Sequence, residues 1–320
     1  MKLQMGYSFL SKDIDRIEKE LERVVFSKEE ILSHASLQLL QSGGKRIRPV
    51  FVLLGGKFGN YNIDQIKNVA VALELIHMAS LVHDDVIDDA NMRRGKPTIN
   101  AKWGNRFAMY TGDYLFAQAL QSITNIENPK AHQVLAQTIL EVCKGEIEQI
   151  RDKYDFEQNL RCYLRRIKRK TALLIAVSCE LGAIAAGAKE EVQRSLYWYG
   201  YYVGMSFQII DDILDFVATE EQLGKPAGGD LLQGNVTLPV LFAMQEATLR
   251  DKITKVTEQT STEEMSELIE GIKMSGAIEE AFEVSERYLQ KALHSIKPLP
   301  RGQAKLALRS VAKYIGKRKF

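Results

Sequence analysis

Apolar positions recur at helical spacing along nearly the whole of this 320-residue chain, and strand-like alternation bounded by turns is hard to find. No proline occurs between Pro129 and Pro226. Breaks fall at Gly43-Gly44, at Gly59-Asn60-Tyr61-Asn62, around Gly95-Lys96-Pro97, at Asn128-Pro129, and from Gly224 to Gly234. This punctuation predicts helices over about 12–40, 49–59, 64–89, 104–125, 130–153, 157–186 and 189–217. Shorter helices follow over about 236–317, with a polar interruption at Thr257–Glu263. There is no linker, low-complexity tract or short repeat, so a single all-α domain over residues 1–320 is expected.

Two of the predicted helices differ from amphipathic surface helices. Val69–Val82 is apolar on nearly every side, interrupted by Glu74, His77 and Ser80, and Tyr197–Ile210 is similar. Helices apolar all round are buried. Each ends in an aspartate cluster of the same spacing: Asp84-Asp85-Val86-Ile87-Asp88, with Asp89 after it, and Asp211-Asp212-Ile213-Leu214-Asp215. Residues i and i+4 share a helix face and i+1 is a near neighbour, so each cluster is expected to point two or three carboxylates in one direction. Clusters facing each other across a cavity would repel and demand cations. Carboxylate oxygens suit Mg²⁺, which takes one or two carboxylates plus substrate phosphates and keeps its waters. Central helices opening into one polar mouth describe a helical bundle.

Composition narrows the class. A hydrophobic content of 45% supports a sizeable core. The net charge of +2, from 43 basic and 41 acidic residues, argues against nucleic acid as the partner. Cys143, Cys162 and Cys179 fit neither a zinc site nor a disulfide framework, and read as buried small hydrophobes in a reducing compartment. The start, Met1-Lys2-Leu3-Gln4-Met5-Gly6, lacks the apolar core of a signal peptide. The most apolar stretch, Ala172–Ala188, is interrupted by Ser178 and Glu180 and reads as a core helix rather than a membrane span. A cytoplasmic protein is expected. The tail Lys317-Arg318-Lys319 allows at most peripheral contact with an anionic membrane.

Polar groups cluster near the aspartates. Ser80 and His77 lie four and seven residues before Asp84, on or near its face, whereas His83 points away and reads as structural. Gln208 lies three residues before Asp211 and four before Asp212, where it can bond a phosphate, a metal-bound water or a neighbouring helix. Basic segments complement the acidic ones: Gly43-Gly44-Lys45-Arg46-Ile47-Arg48-Pro49, Arg93-Arg94-Gly95, Lys170-Thr171, and the glycine-rich stretch Gly224-Lys225-Pro226-Ala227-Gly228-Gly229-Asp230. Any one of these alone is a solvated face. Together they form the positive half of a diphosphate site, with arginine forks and lysine point charges. The chain has no Walker-type loop, serine elbow, His-Glu-x-x-His motif or dinucleotide fingerprint. The chemistry left is metal-assisted departure of a diphosphate inside an apolar cavity that keeps water from a carbocation.

From about Gly43 to Pro239, the paired Asp-Asp-x-x-Asp clusters and the Gly-Gly-Lys-x-x-Arg-Pro segment resemble those of the trans-polyprenyl diphosphate synthases. The resemblance implies an all-helical bundle around a deep central cavity, of the isoprenoid synthase type. It implies elongation of an allylic diphosphate by isopentenyl diphosphate. Carried over, Lys45, Arg48, His77 and Arg94 form the isopentenyl diphosphate site. Asp84, Asp85 and Asp88 hold Mg²⁺ against the allylic diphosphate, and Asp211, Asp212 and Asp215 hold the facing Mg²⁺. Arg93, Lys170, Thr171, Gln208 and Lys225 bind the allylic substrate or its leaving group. One departure is Asn235, where many relatives carry Lys.

Product length follows from the positions four and five residues before the first cluster, where short-chain relatives often carry aromatics. Here they are Ala79 and Ser80, too small to block a growing tail. Twenty helical residues span ~30 Å, the scale of a long polyprenyl chain. A medium or long product, heptaprenyl diphosphate, is expected. The motifs are most similar to the catalytic subunits of two-component members, which work with a small, dissimilar partner; the alternative is a homodimeric octaprenyl or nonaprenyl synthase. A terpene cyclase is disfavoured by the second Asp-Asp-x-x-Asp and by Lys45 and Arg48, and an HD-type phosphohydrolase built on His83-Asp84 by the scarcity of further histidines. A non-catalytic scaffold subunit is disfavoured by two intact aspartate clusters.

Overall fold

The computed structural model describes residues 7–44, 46–218 and 227–317. The chain divides into two compact units: Met1–Ile139, Val177–Tyr197 and Leu299–Leu308 form one, and Leu140–Ala176, Trp198–Pro298 and Arg309–Phe320 the other.

In the first unit, helix α1 (Ser11–Val25) buries Ile17, Leu21 and Val25 along one stripe. The helix predicted over 12–40 is two helices, because Phe26 is extended and the Ser27 hydroxyl accepts the Glu29 N–H, a local bond that competes with helix continuation. Helix α2 spans Glu30–Gln41 and α3 spans Ile47–Gly56, the latter entered through Arg46 in the left-handed region at φ 45°. Helix α4 (Ile63–Ile87) starts at Asn62, whose side chain accepts the Asp64 N–H at 2.9 Å. From Val69 to Val82 nearly all its side chains are buried, as its pattern requires. A short antiparallel hairpin follows, β1 (Met92–Arg93) and β2 (Lys96–Pro97). Its turn residues Arg94 and Gly95 both have positive φ, 52° and 74°, the geometry of a two-residue hairpin turn. Strands of two residues carry no readable alternation, so the sequence showed only a break. Helix α5 (Ile99–Trp103) leads into α6 (Asn105–Ile123), which packs along α4. Gly112 permits that approach: a Cβ there would lie 2.2 Å from His83 Nε2.

Helix α7 runs Pro129–Arg151, and α8 (Leu160–Ile167) is capped by Asn159, which accepts the N–H groups of Arg161 and Cys162. A π-helical turn over Lys168–Ala172 joins α8 to α9 (Leu173–Ala185). The predicted helix over 157–186 is therefore interrupted where Lys170-Thr171 break its apolar run, and such wide turns gather at functional sites. Helix α10 spans Glu190–Val217. Shorter helices follow: α11 (Gly229–Leu232), α12 (Leu238–Ala243), α13 (Ala247–Ile253), α14 (Thr262–Met274), α15 (Ala277–Ser295) and α16 (Gln303–Gly316). In the second unit, Tyr163, Ile209, Ile213, Phe216, Leu238 and Ile272 belong to one buried cluster.

Two expectations are corrected. Helix α10 is not buried on all sides over Tyr197–Ile210: Trp198 is 41% exposed and stacks on half-buried Tyr202 at 5.6 Å between centroids. Tryptophan and tyrosine count as apolar in a pattern, yet their polar edges suit partly wet positions. Cys143 is exposed and Cys162 half-buried, so among the three cysteines only Cys179 is a core residue. The Ala172–Ala188 stretch packs as a core helix, and among the described residues no helix is long and apolar enough to cross a membrane.

Candidate active site

The last turns of α4 sort their carboxylates. Asp84 and Asp88, one turn apart on one face, are half-buried. Asp85 is 3% exposed, and its Oδ1 accepts from Arg93 Nε at 2.7 Å. Burial pushes the Asp85 carboxyl up from its ordinary value, opposed by the Arg93 guanidinium. The first cluster therefore presents a pair of carboxylates on one face plus one engaged internally, within the two or three expected. Among the described residues no three Asp, Glu, His or Cys side chains converge closely enough to hold a metal ion alone. A pair of carboxylates beside a cationic pocket fits a hard divalent cation that completes its shell with water and phosphate oxygens.

That pocket lies in the first unit. Arg46, Arg93 and Arg94 line a cavity with Glu74, His77 and Asp85. Arg46 is held from three sides: Nε by Glu18 Oε1 at 2.5 Å, Nη1 by Glu74 Oε1 at 3.1 Å, and Nη2 by the Leu40 carbonyl at 2.7 Å. Arg94 donates to the Gly43 carbonyl. Burial pushes the Arg48 guanidinium down to about 10, with Arg94 adding to the shift and Glu74 opposing it. His77 is held well below its ordinary value, by burial first and then by Arg48, Arg94, Arg93 and Arg46. It is a neutral imidazole among guanidiniums at physiological pH. Glu18 and Glu74 neutralise Arg46, and Asp85 neutralises Arg93. Among the described residues, Arg48 and Arg94 have no carboxylate within ion-pair distance, so their charge is available to an anion. His77 and Arg94 thus line one cavity and Arg48 is near enough for its charge to act on His77, while Lys45 lies outside the described residues.

The second cluster behaves similarly. Asp211 is half-buried, whereas Asp212 and Asp215 are 3% and 2% exposed. Asp212 Oδ2 accepts from Tyr163 Oη at 2.7 Å and Oδ1 from Gln208 Nε2 at 2.8 Å; Gln208 Oε1 in turn accepts from Thr171 Oγ1 at 2.6 Å. Burial pushes Asp212 up to about 7, with Asp230 adding and Gln208, Tyr163 and Arg166 opposing. Asp215 Oδ2 accepts the Asp230 N–H at 3.1 Å, and its carbonyl accepts the Gly228 N–H at 2.8 Å. Two of the three aspartates are therefore bonded internally. Lys170 Nζ donates to Gln149 Oε1 at 2.8 Å. The Asn235 N–H bonds the Asp230 carbonyl at 2.8 Å. Lys225 lies outside the described residues.

Four residues important to this arrangement were not assigned from sequence: Arg46, Glu74, Tyr163 and Asp230. Glu74 carried a signal, as the one carboxylate inside the apolar run of α4. Tyr163 carried none, because its partner lies 49 positions away. Ala79 is fully buried, and Ser80 is half-buried with Oγ donating to the His77 carbonyl at 2.9 Å. His83 Nε2 lies 3.3 Å from the Met109 carbonyl and 3.5 Å from Asp113 Oδ1, against α6.

An all-α chain with paired aspartate clusters and a guanidinium pocket is the architecture of isoprenoid synthases. The polyprenyl synthetase family profile matches residues 29–272, and the chain belongs to this family. Among its relatives, heptaprenyl diphosphate synthase component 2 of Bacillus subtilis is 66% identical over 320 residues, covering 100% of this chain and 92% of that protein. Heptaprenyl diphosphate synthase component 2 of Geobacillus stearothermophilus is 63% identical over 320 residues, covering 100% of each. The crystal structure of heptaprenyl diphosphate synthase from Staphylococcus aureus matches with a TM-score of 0.94 at 46% identity, covering 97% of this chain and 98% of that one.

Proposed function

We propose that this chain is the catalytic subunit of a trans-polyprenyltransferase. It condenses an allylic diphosphate, farnesyl diphosphate or longer, with successive isopentenyl diphosphate units to heptaprenyl diphosphate. The observation that carries the reading is the pocket that Arg46, Arg93, Arg94 and His77 line, His77 lying on the helix that ends in Asp84 and Asp88, with the charge of Arg48 also acting on His77. The 66% identity to a heptaprenyl diphosphate synthase component along the whole chain supports the product and the two-subunit organisation. The family match runs unbroken through residues of both units, which supports one catalytic domain over 1–320.

The proposed roles follow the local chemistry. Arg48, Arg94 and Lys45 bind the isopentenyl diphosphate, with His77 adding a hydrogen bond without charge. Arg93, Lys170, Thr171, Gln208 and Lys225 bind the allylic diphosphate. Asp84, Asp85 and Asp88, with Asp211, Asp212 and Asp215, form the Mg²⁺ sites, in which Asp85, Asp212 and Asp215 act through their internal bonds. Bound Mg²⁺ supplies charge neutralisation for the departing diphosphate. No side-chain nucleophile is needed: the isopentenyl double bond attacks the allylic cation, and the proton leaves with pyrophosphate. Ala79 and Ser80 leave room for the growing tail.

A small, dissimilar partner subunit completes the enzyme, with a homodimer as the alternative. Leu140, Cys143, Ile147 and Ile150, exposed on α7 at alternating spacings of three and four, suit such a contact. The protein acts in the cytoplasm, with at most peripheral membrane contact. Product analysis with Mg²⁺, farnesyl diphosphate and labelled isopentenyl diphosphate tests the reading. A discrete heptaprenol only when the partner subunit is added is the expected result. A long product from the purified chain alone would favour the homodimer, and no elongation with the partner present would overturn the assignment.

A further inference from the structure

Two buried groups next to the cationic pocket lack hydrogen-bond partners, and they are complementary. Glu74 is 4% exposed; its Oε1 accepts from Arg46 at 3.1 Å, while its Oε2 is buried without a partner. Arg48 Nε is likewise buried without a partner. One is an anionic acceptor and the other a cationic donor. They sit on packed elements, Arg48 in the first turn of α3 and Glu74 midway along α4, and the charge of Glu74 acts on Arg48. Leaving both unmatched is unfavourable, so such a pair calls for a state in which they meet.

We infer that Glu74 is a positioning residue for Arg48: when a diphosphate occupies the pocket, Glu74 Oε2 accepts the Arg48 Nε hydrogen bond while Oε1 keeps Arg46. This rests on the isopentenyl diphosphate reading of the pocket. A guanidinium held at Nε keeps the outward N–H groups of its two terminal nitrogens free, as a fork on phosphate oxygens. The carboxylate also fixes Arg46, whose left-handed backbone immediately precedes α3. Glu74 thus ties two residues of the basic segment to the helix that carries His77.

The competing expectation has the opposite sign. If Glu74 acted only through its charge, it would repel an anion, and removing it would tighten diphosphate binding. The test is calorimetric titration of isopentenyl diphosphate into the assembled enzyme, with parallel kinetics. Glu74→Gln should raise Kd and KM for isopentenyl diphosphate by about tenfold or more and leave KM for the allylic substrate unchanged. Arg48→Lys, which lacks the Nε donor, should also weaken binding, and the double variant should be no worse than Arg48→Lys alone. Unchanged or tighter binding by Glu74→Gln overturns the inference, as does an equal rise in both KM values with a lowered melting temperature. Failure of the unsubstituted enzyme to bind isopentenyl diphosphate overturns the pocket assignment instead. Should Glu74→Gln not fold, a crystal structure of the unsubstituted enzyme with isopentenyl diphosphate decides: Arg48 Nε within hydrogen-bond distance of Glu74 Oε2 is expected, and a separation beyond it refutes the idea.

Discussion

Tyr163 and Asp212 are joined by a 2.7 Å hydrogen bond in the protein interior, the phenol donating to Oδ2. With Gln208 on the other oxygen, this bond commits the middle aspartate of the second cluster to its own unit. Asp85 is committed in the same way by Arg93. One aspartate of the first cluster and two of the second are thus buried and bonded within their own units, whereas Asp84, Asp88 and Asp211 are half-buried.

Tyr163→Phe removes a donor from a buried carboxylate. The expected loss is about 1–3 kcal/mol of stability, read from urea unfolding. A variant as stable as the parent would show that the phenol does not hold Asp212.

Asp84→Ala and Asp85→Ala should fail differently. Asp84 is half-buried, so its truncation should leave the melting temperature nearly unchanged and lower turnover by about 10²–10³-fold or more. Truncating Asp85 should also destabilise, by about 1–3 kcal/mol, because Arg93 loses its counter-charge; Arg93 is 31% exposed, so water offsets part of the loss. Equal melting temperatures for the two variants would contradict the division of roles.

His77 sets a pH dependence of stability. Its folded-state value lies well below that of the unfolded chain, through burial and the surrounding arginines. Below about pH 6.5 the unfolded state therefore binds a proton that the folded state refuses. Stability contributed by His77 is present above that pH and is lost as pH falls, with a slope of at most about 1.4 kcal/mol per pH unit. His77→Gln should flatten this part of the stability–pH curve. An unaltered slope in the variant would place the titration elsewhere.

The two chain-length positions should also part company. Ser80 is half-buried, so Ser80→Phe should shorten the polyprenyl product while the fold is kept. Ala79 is fully buried, and a phenyl ring there overpacks α4, with an expected loss of about 1–3 kcal/mol or more beside any shortening. Chromatography of the product alcohols, together with thermal melts, checks both. Unchanged product length in Ser80→Phe would refute its place beside the growing chain.

Much of the fold was legible in the chain because helices announce themselves locally. The apolar run of α4, its stop at Asp88 and the glycine breaks are all short-range signals. The misplaced boundary at Phe26 and the π turn at Lys168–Ala172 were not legible at that level, because each reflects a local bonding choice inside an otherwise helical pattern. The aromatic exposure at Trp198 escaped because pattern reading treats an indole as simply apolar.

Periodicity and spacing were enough to establish an all-α protein, the places of its two acidic clusters and the basic segments that accompany them. Those features depend on spacings of three, four and seven residues along one helix. Which aspartates are buried, which arginines are neutralised and which are not, and the place of Glu74 in the pocket all came from packing between elements. Those outcomes depend on partners remote in sequence, such as Tyr163 for Asp212 and Glu18 and Glu74 for Arg46. A carboxylate's role is set by the donors that reach it, and periodicity along a single helix carries no information about them.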